Sequence, residues 1–255
     1  MNAVNSNKGV VFFVYGYGGT GKEFVWKTLS EFLGSKGEIV LNMESSGIAS
    51  LLLPGGITTH SRFAIPFNPN EYSTYNIKQG ISLAELIEKS KLIMIWDEAP
   101  MMYKFCFEAL DKSMKDIMRF VNPSNLHLPF GGKTVVFDGY FCQILLVIPN
   151  EIMQDIVLAT INSYYIWRHC MVLILKKNMR LQNLGSNEEF DKTKHFSDWV
   201  ANIGDEKIGE PNDGYATIDI PDEFSLKDYN DPIASIVEST YLSSDISISD
   251  TAYFQ

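Results

Sequence analysis

Cysteine is scarce: three residues in 255, Cys106, Cys142 and Cys170. They lie far apart and match no metal-binding or redox spacing. A disulfide framework is thereby excluded, and the three read as reduced thiols of a cytosolic or nuclear protein. Long apolar runs are also missing, and none approaches the roughly 20 residues that a membrane-spanning helix needs. The opening Met1-Asn2-Ala3-Val4-Asn5-Ser6-Asn7-Lys8 carries no apolar signal region, so secretion is not expected. There is no internal repeat and no low-complexity tract.

What is present is a core. Hydrophobic residues make up 45% of the chain, enough for one large α/β domain or a domain with an appendage. The net charge of -10 is unevenly spread. Residues 1–182 hold 17 lysines and arginines against 15 acidic residues, whereas residues 183–255 hold 4 against 16. The first part is compatible with a polyanionic partner and the second is not.

The strongest local pattern is Gly16-Tyr17-Gly18-Gly19-Thr20-Gly21-Lys22, directly after the apolar run Val10 to Tyr15. A buried strand that breaks into a glycine-rich turn ending in Gly-Lys is a phosphate-binding loop. Its backbone N–H groups converge as an anion nest at a helix N-terminus, and Lys22 would reach the β- and γ-phosphates. The pattern calls next for Ser or Thr, whose hydroxyl would sit on Mg²⁺. This chain has Glu23. A carboxylate there either repels the phosphates, by on the order of 1 to 4 kcal/mol at a few ångströms, or serves as a Mg²⁺ ligand itself.

Apolar periodicity predicts the rest. Helices are expected over Phe24–Leu33, Ser46–Leu53, Leu83–Lys89, Met101–Phe120 and Phe190–Ile203. Further strands are expected over Glu38–Met43, Lys91–Trp96, Lys133–Phe137 and Val172–Leu175, with a loop from Pro54 to Asn70. Strands alternating with helices imply a parallel sheet covered on both faces. Asp97-Glu98 ends the third strand. Ligands of such folds bind beyond the carboxyl ends of the strands, so one carboxylate can hold Mg²⁺ while the next orients or deprotonates an attacking water. From residue 183 turn chemistry dominates, and an acidic, partly ordered extension is expected.

With the loop and the acidic pair in place, the chain resembles the petite-integration-frequency (Pif-type) family of ATP-dependent DNA helicases, nearest the plant members related to Helitron transposons. The resemblance rests on Tyr15 to Lys22, Ser45 to Leu52, Thr59-His60-Ser61-Arg62-Phe63, Ile95-Trp96-Asp97-Glu98-Ala99-Pro100-Met101 and Lys177-Asn178-Met179-Arg180-Leu181. It implies a RecA-like P-loop domain over residues 1–182. Residues 183–255 would then be an irregular acidic extension leading towards a second motor domain that this sequence does not contain. It implies ATP and Mg²⁺ as cofactors, single-stranded or forked DNA as partner, and a nuclear setting, or a mitochondrial one as elsewhere in the family.

By resemblance, Gly16, Gly18, Gly19, Thr20, Gly21, Lys22 and Glu23 surround the phosphates, and Asp97 holds Mg²⁺. Glu98, Gln143 and Arg180 are catalytic, Gln143 as a γ-phosphate sensor and Arg180 as the stabiliser of transferring charge. Ser46, Gly47, Thr59, His60, Ser61 and Phe63 lie along a single-strand path, the last aromatic and His60 able to stack on bases. Phe63 with Ile65 and Pro66 fits plain packing better than base contact, and His60 fits a loop or core histidine equally well. The family motif Gly-Gly-Asp-Phe-Arg-Gln is altered here: Asp138 replaces a glycine, Tyr140 the aspartate and Cys142 the arginine. The expectation is a helicase domain with impaired activity. The alternatives are an inactive transposon-derived remnant that binds nucleotide or single-stranded DNA weakly, and a P-loop ATPase without a DNA role.

Overall fold

Strand β1 (Val11–Tyr15) sends alternate side chains to opposite sides of a sheet, and two cores result. Val11 and Phe13 join Leu41, Met43, Ile93, Val135 and Phe137 in the larger one. Val14 joins Trp26, Leu33, Leu92 and Val136 in the smaller one, with Phe12 packed against it. These observations come from a computed structural model that describes residues 8–44, 57–63, 69–75, 77–95, 99–141, 148, 152–183, 187–205, 207–208, 217–226 and 231–240.

The remaining strands are β2 (Ile39–Glu44), β3 (Ile57–Thr58), β4 (Ser90–Ile95), β5 (Thr134–Gly139) and β6 (Cys170–Ile174). They form one sheet in the order β3-β2-β4-β5-β1-β6. Every pairing is parallel, with Val11 opposite Val135 on one side and Cys170 on the other. Helix α1 (Lys22–Gly34) places Trp26 and Leu33 in the smaller core. Helix α3 (Ser82–Lys89) and the long α4 (Lys104–Met118) fill the larger core on the other face. The chain is thus an α/β RecA-like domain with helices on both faces of a parallel sheet.

Among the described residues the expected strands and helices are present, with shifted ends. The helix expected from Met101 begins at Lys104, because Ala99–Met101 forms a separate 3₁₀ turn and Tyr103 is extended. Within the stretch expected as a loop lie β3 and the five-residue helix α2 (Thr59–Phe63), both too short to show a period. Helix α5 (Met153–Ala159) was not expected, nor was α7 (Pro232–Thr240) within the acidic extension. The helix expected over Ser46–Leu53 lies outside the described residues. Among the described residues no helix is long and apolar enough to cross a membrane.

One buried carboxylate organises the amino end of β5. Asp111 of α4 accepts from the Phe130 N–H at 2.7 Å, from Lys115 Nζ at 2.8 Å and from the Tyr165 hydroxyl at 2.6 Å, with Tyr164 at 3.2 Å. The Phe130 bond secures a residue whose φ of 47° only a tight turn demands. Nearby, Lys133 Nζ donates to the carbonyls of Glu88 and Ser90 at 2.7 and 2.8 Å, tying the end of α3 to β5. Burial, with Lys91 adding to it, pushes the Lys133 ammonium down to about 8.

By its internal contacts the chain divides into residues Met1–Gly204 and Asp205–Gln255. Helix α6 (Asn187–Gly204) therefore belongs with the sheet.

Candidate nucleotide site

The loop leaves the carboxyl end of β1, where β1 lies between β5 and β6. The Gly16 N–H donates to the Gly139 carbonyl at 3.4 Å and the Leu175 N–H to the Tyr15 carbonyl at 2.8 Å, so both neighbouring strands hold its base. Inside the loop, Thr20 is buried and its Oγ1 donates to the Tyr17 carbonyl at 2.8 Å. Gly19 and Gly21 have φ of 87° and 86°, a left-handed conformation that side chains resist. Gly21 caps α1, and Lys22 is its first residue. The loop thus leads directly into the N-terminus of α1, an arrangement that attracts an anion.

Glu23, in the first turn of α1, has a partner on its own helix. Its Oε1 pairs with Lys27 Nζ at 2.6 Å, one turn along α1, and both side chains are about half exposed. Repulsion of a phosphate is reduced by the pairing, while a magnesium ligand at this position would have to be drawn away from Lys27.

The segment after β6 is laced onto the loop. The Met179 N–H donates to the Gly19 carbonyl at 2.8 Å and the Tyr17 hydroxyl to the Lys176 carbonyl at 3.3 Å. A methyl group built on Gly19 would stand 2.8 Å from Asn178 Oδ1 and 3.2 Å from Arg180 Cδ. The arginine stem therefore lies along the phosphate loop. Asn178 Oδ1 accepts from the Arg180 N–H at 3.0 Å, opening the 3₁₀ turn Met179–Asn183. A cavity of about 480 Å³ opens between Tyr17, Gly18, Tyr140 and Arg180 on one side and Phe196 and Val200 of α6 on the other.

The altered motif at the end of β5 has new partners. Asp138 is fully buried, and its Oδ2 accepts from Trp26 Nε1 of α1 at 2.8 Å. The Tyr140 ring lies 5.3 Å from that of Tyr15 and 6.4 Å from that of Tyr17. Trp26 is thus a hydrogen-bond donor that fixes the helix after the loop to β5. The pair is 112 residues apart, and no sequence signal joins them. Asn178 was given no role of its own either, although asparagine side chains commonly accept from their own backbone two residues on.

Among the residues assigned to a single-strand path, Thr59 is fully buried and its Oγ1 donates to the Glu44 carbonyl at 3.0 Å. Phe63 is fully buried and stacks on Tyr75 at 5.6 Å. Ser61 is exposed, with the Thr58 hydroxyl donating to its Oγ at 2.8 Å. His60 lies within α2. Ser46, Gly47, Asp97, Glu98 and Gln143 lie outside the described residues. Asp97 and Glu98 follow β4, which runs parallel to β1 with β5 between them. Of the three thiols, burial pushes Cys106 up to about 11 and Cys170 up to about 12, so neither is a thiolate near neutrality.

A parallel sheet whose inner strand runs into a glycine-lysine loop at a helix N-terminus, with an arginine-bearing turn along that loop, defines a P-loop nucleotide-binding domain of the RecA-like class. A family model for PIF1-like helicases matches residues 1–214, and the chain belongs to that family. The ATP-dependent DNA helicase PIF4 of Trypanosoma brucei brucei (strain 927/4 GUTat10.1) is 30% identical over 152 residues, which is 58% of this chain and 18% of that protein. A Bacteroides Pif1 helicase in complex with ADP-AlF3 and ssDNA superposes with a TM-score of 0.61 at 24% identity, over 82% of this chain and 45% of that one. A Bacteroides sp Pif1 in complex with ADP-AlF4 gives 0.57 at 26% identity, over 82% and 45%. A structure on DNA unwinding at forked dsDNA by two coordinating Pif1 helicases gives 0.59 at 24%, over 82% and 47%. The chain spans under a fifth of the curated relative and under half of the solved ones.

Proposed function

We propose that this chain is an ATP-binding helicase motor domain with impaired hydrolysis, acting on single-stranded or forked DNA in a nuclear setting. The observation that carries the reading is the lacing of the Arg180 turn onto the phosphate loop. It lays the Arg180 stem along the loop that leads into Lys22 and the α1 N-terminus, where phosphates would be held. The donor set fits a polyphosphate: a nest of N–H groups, an ammonium and a guanidinium. Bound ATP would supply the phosphoryl group to be cleaved. Arg180 would stabilise charge on it, Glu98 would orient or deprotonate the water, and Gln143 would register the γ-phosphate.

Magnesium is served less well. The hydroxyl expected after Lys22 is replaced by a carboxylate already paired with Lys27. Among the described residues no cluster of three His, Cys, Asp or Glu could hold a metal ion. By resemblance to the family, Asp97 would hold the ion.

Support for DNA comes from the family and from relatives solved with ssDNA and at forked dsDNA. The test is ATP turnover by the purified chain with and without single-stranded DNA, compared with Lys22→Ala and Arg180→Ala. Turnover stimulated by DNA and lost in both variants supports the reading. Turnover untouched by either variant overturns it. A second reading, nucleotide binding without turnover, is favoured by Glu23 and by Tyr140, whose ring packs where the family carries a charge. In that case the nucleotide binds, Lys22→Ala weakens it, and no phosphate is released.

A further inference from the structure

Asn178 stands where three elements meet. Its Oδ1 lies against Gly19 of the phosphate loop and accepts from the Arg180 N–H at 3.0 Å. Its Nδ2 donates to Ser197 Oγ of α6 at 2.9 Å. A side-chain amide has one acceptor oxygen and two donor hydrogens on a rigid plane. Turning that plane to release Ser197 also turns the oxygen away from Arg180. The far end of α6 touches the same neighbourhood, since a methyl group on Gly204 would stand 3.3 Å from the Tyr140 hydroxyl.

We propose that Asn178 is the positioning residue that couples the seating of α6 to the phosphate loop and to Arg180, so that nucleotide in the loop and the order of α6 control each other. The proposal rests on the nucleotide reading above for its ligand, though the coupling itself is a property of the protein alone. Two distinct places, the loop and α6, share one amide whose two ends must be satisfied together. A ligand that orders the loop therefore orders α6, and by reciprocity a loosened α6 weakens the ligand. Asn178 acts through Arg180 and Ser197 and need not touch the nucleotide.

Hydrogen exchange of the full chain tests this in two arms. Without nucleotide, Asn178→Ala and Ser197→Ala should each speed exchange in α6 peptides, and Asn178→Ala should speed it in the 16–22 loop as well, by about fivefold or more. Faster exchange in one segment alone after Asn178→Ala overturns the proposal. With ADP added, α6 exchange should slow in the unsubstituted chain and stay unchanged in Asn178→Ala, even at ADP concentrations that saturate the variant. Slowing of α6 in the saturated variant also overturns it. Ser197→Ala removes the partner on α6 and leaves the Asn178 oxygen on the Arg180 N–H, so the slowing of α6 by ADP should be lost in this variant too. A merely structural role would instead lower the stability of both variants without separating these responses. If ADP binds to none of the proteins, the nucleotide reading fails while the first arm still decides the coupling.

Discussion

At the scale of single residues, two side chains carry charge in places that make their effects measurable. Glu23 takes the place of a hydroxyl and is neutralised by Lys27 at 2.6 Å. Glu23→Thr should tighten binding of a non-hydrolysable ATP analogue in the presence of Mg²⁺, by roughly tenfold, which is about 1.4 kcal/mol. Calorimetry that returns equal affinities for both proteins would sink the idea that this residue weakens the site. Lys133 lies buried with an ammonium held down to about 8, against 10.5 in an unfolded chain. Between those two pH values the unfolded chain binds more protons than the folded one, so this group makes stability rise with pH across that window. Cys106 and Cys170 act oppositely, because burial raises their thiols and stability falls once unfolded thiols ionise. Lys133→Met leaves the cysteines in place and removes the rising contribution. The unsubstituted chain should therefore gain on the variant by roughly 1–3 kcal/mol between pH 8 and 10.5, read from urea midpoints at each pH. A constant difference across the window would refute it.

At the scale of elements, the altered end of β5 is a repacked joint. The resemblance puts glycine at position 138, yet here Asp138 is buried and accepts from the Trp26 indole of α1 at 2.8 Å. Restoring the family residue should therefore harm the fold. Asp138→Gly leaves a buried N–H without its acceptor, at a cost of about 1–3 kcal/mol, and adds the backbone entropy of a glycine within a strand. The double variant Trp26→Phe with Asp138→Gly should recover part of that loss, because the stranded donor is gone. If denaturant unfolding shows the single variant as stable as the parent, the hydrogen bond contributes nothing measurable.

At the scale of the whole molecule, the two units differ in charge. By internal contacts the chain divides between Gly204 and Asp205. Residues 1–204 carry equal numbers of basic and acidic side chains, and residues 205–255 carry twelve acidic against two basic. An acidic segment joined to a neutral body repels a polyanion, and more so at low salt. Removing residues 205–255 while keeping α6 should strengthen single-stranded DNA binding at low ionic strength, with the difference fading as salt is added. Fluorescence anisotropy on a shortened chain shown to be folded checks this. Weaker or unchanged binding would mean that the acidic segment does not oppose DNA.

The sequence by itself determined the parallel α/β sheet, the phosphate loop, the replacement of its last hydroxyl by Glu23 and the uneven charge. Each of these is written in neighbouring residues: alternation along a strand, glycine spacing before a lysine, composition along a segment. Only the tertiary structure decided the rest. Thr59 and Phe63 proved to be buried, one bound to the Glu44 carbonyl and the other stacked on Tyr75, because β3 and α2 are too short to display which side faces the core. Trp26 met Asp138, and Asn178 met Gly19 and Ser197, because strand order brings β5, β1 and β6 side by side. Periodicity says which face of an element is buried, but not which neighbour it is buried against. The partners of a long-range hydrogen bond depend on that neighbour.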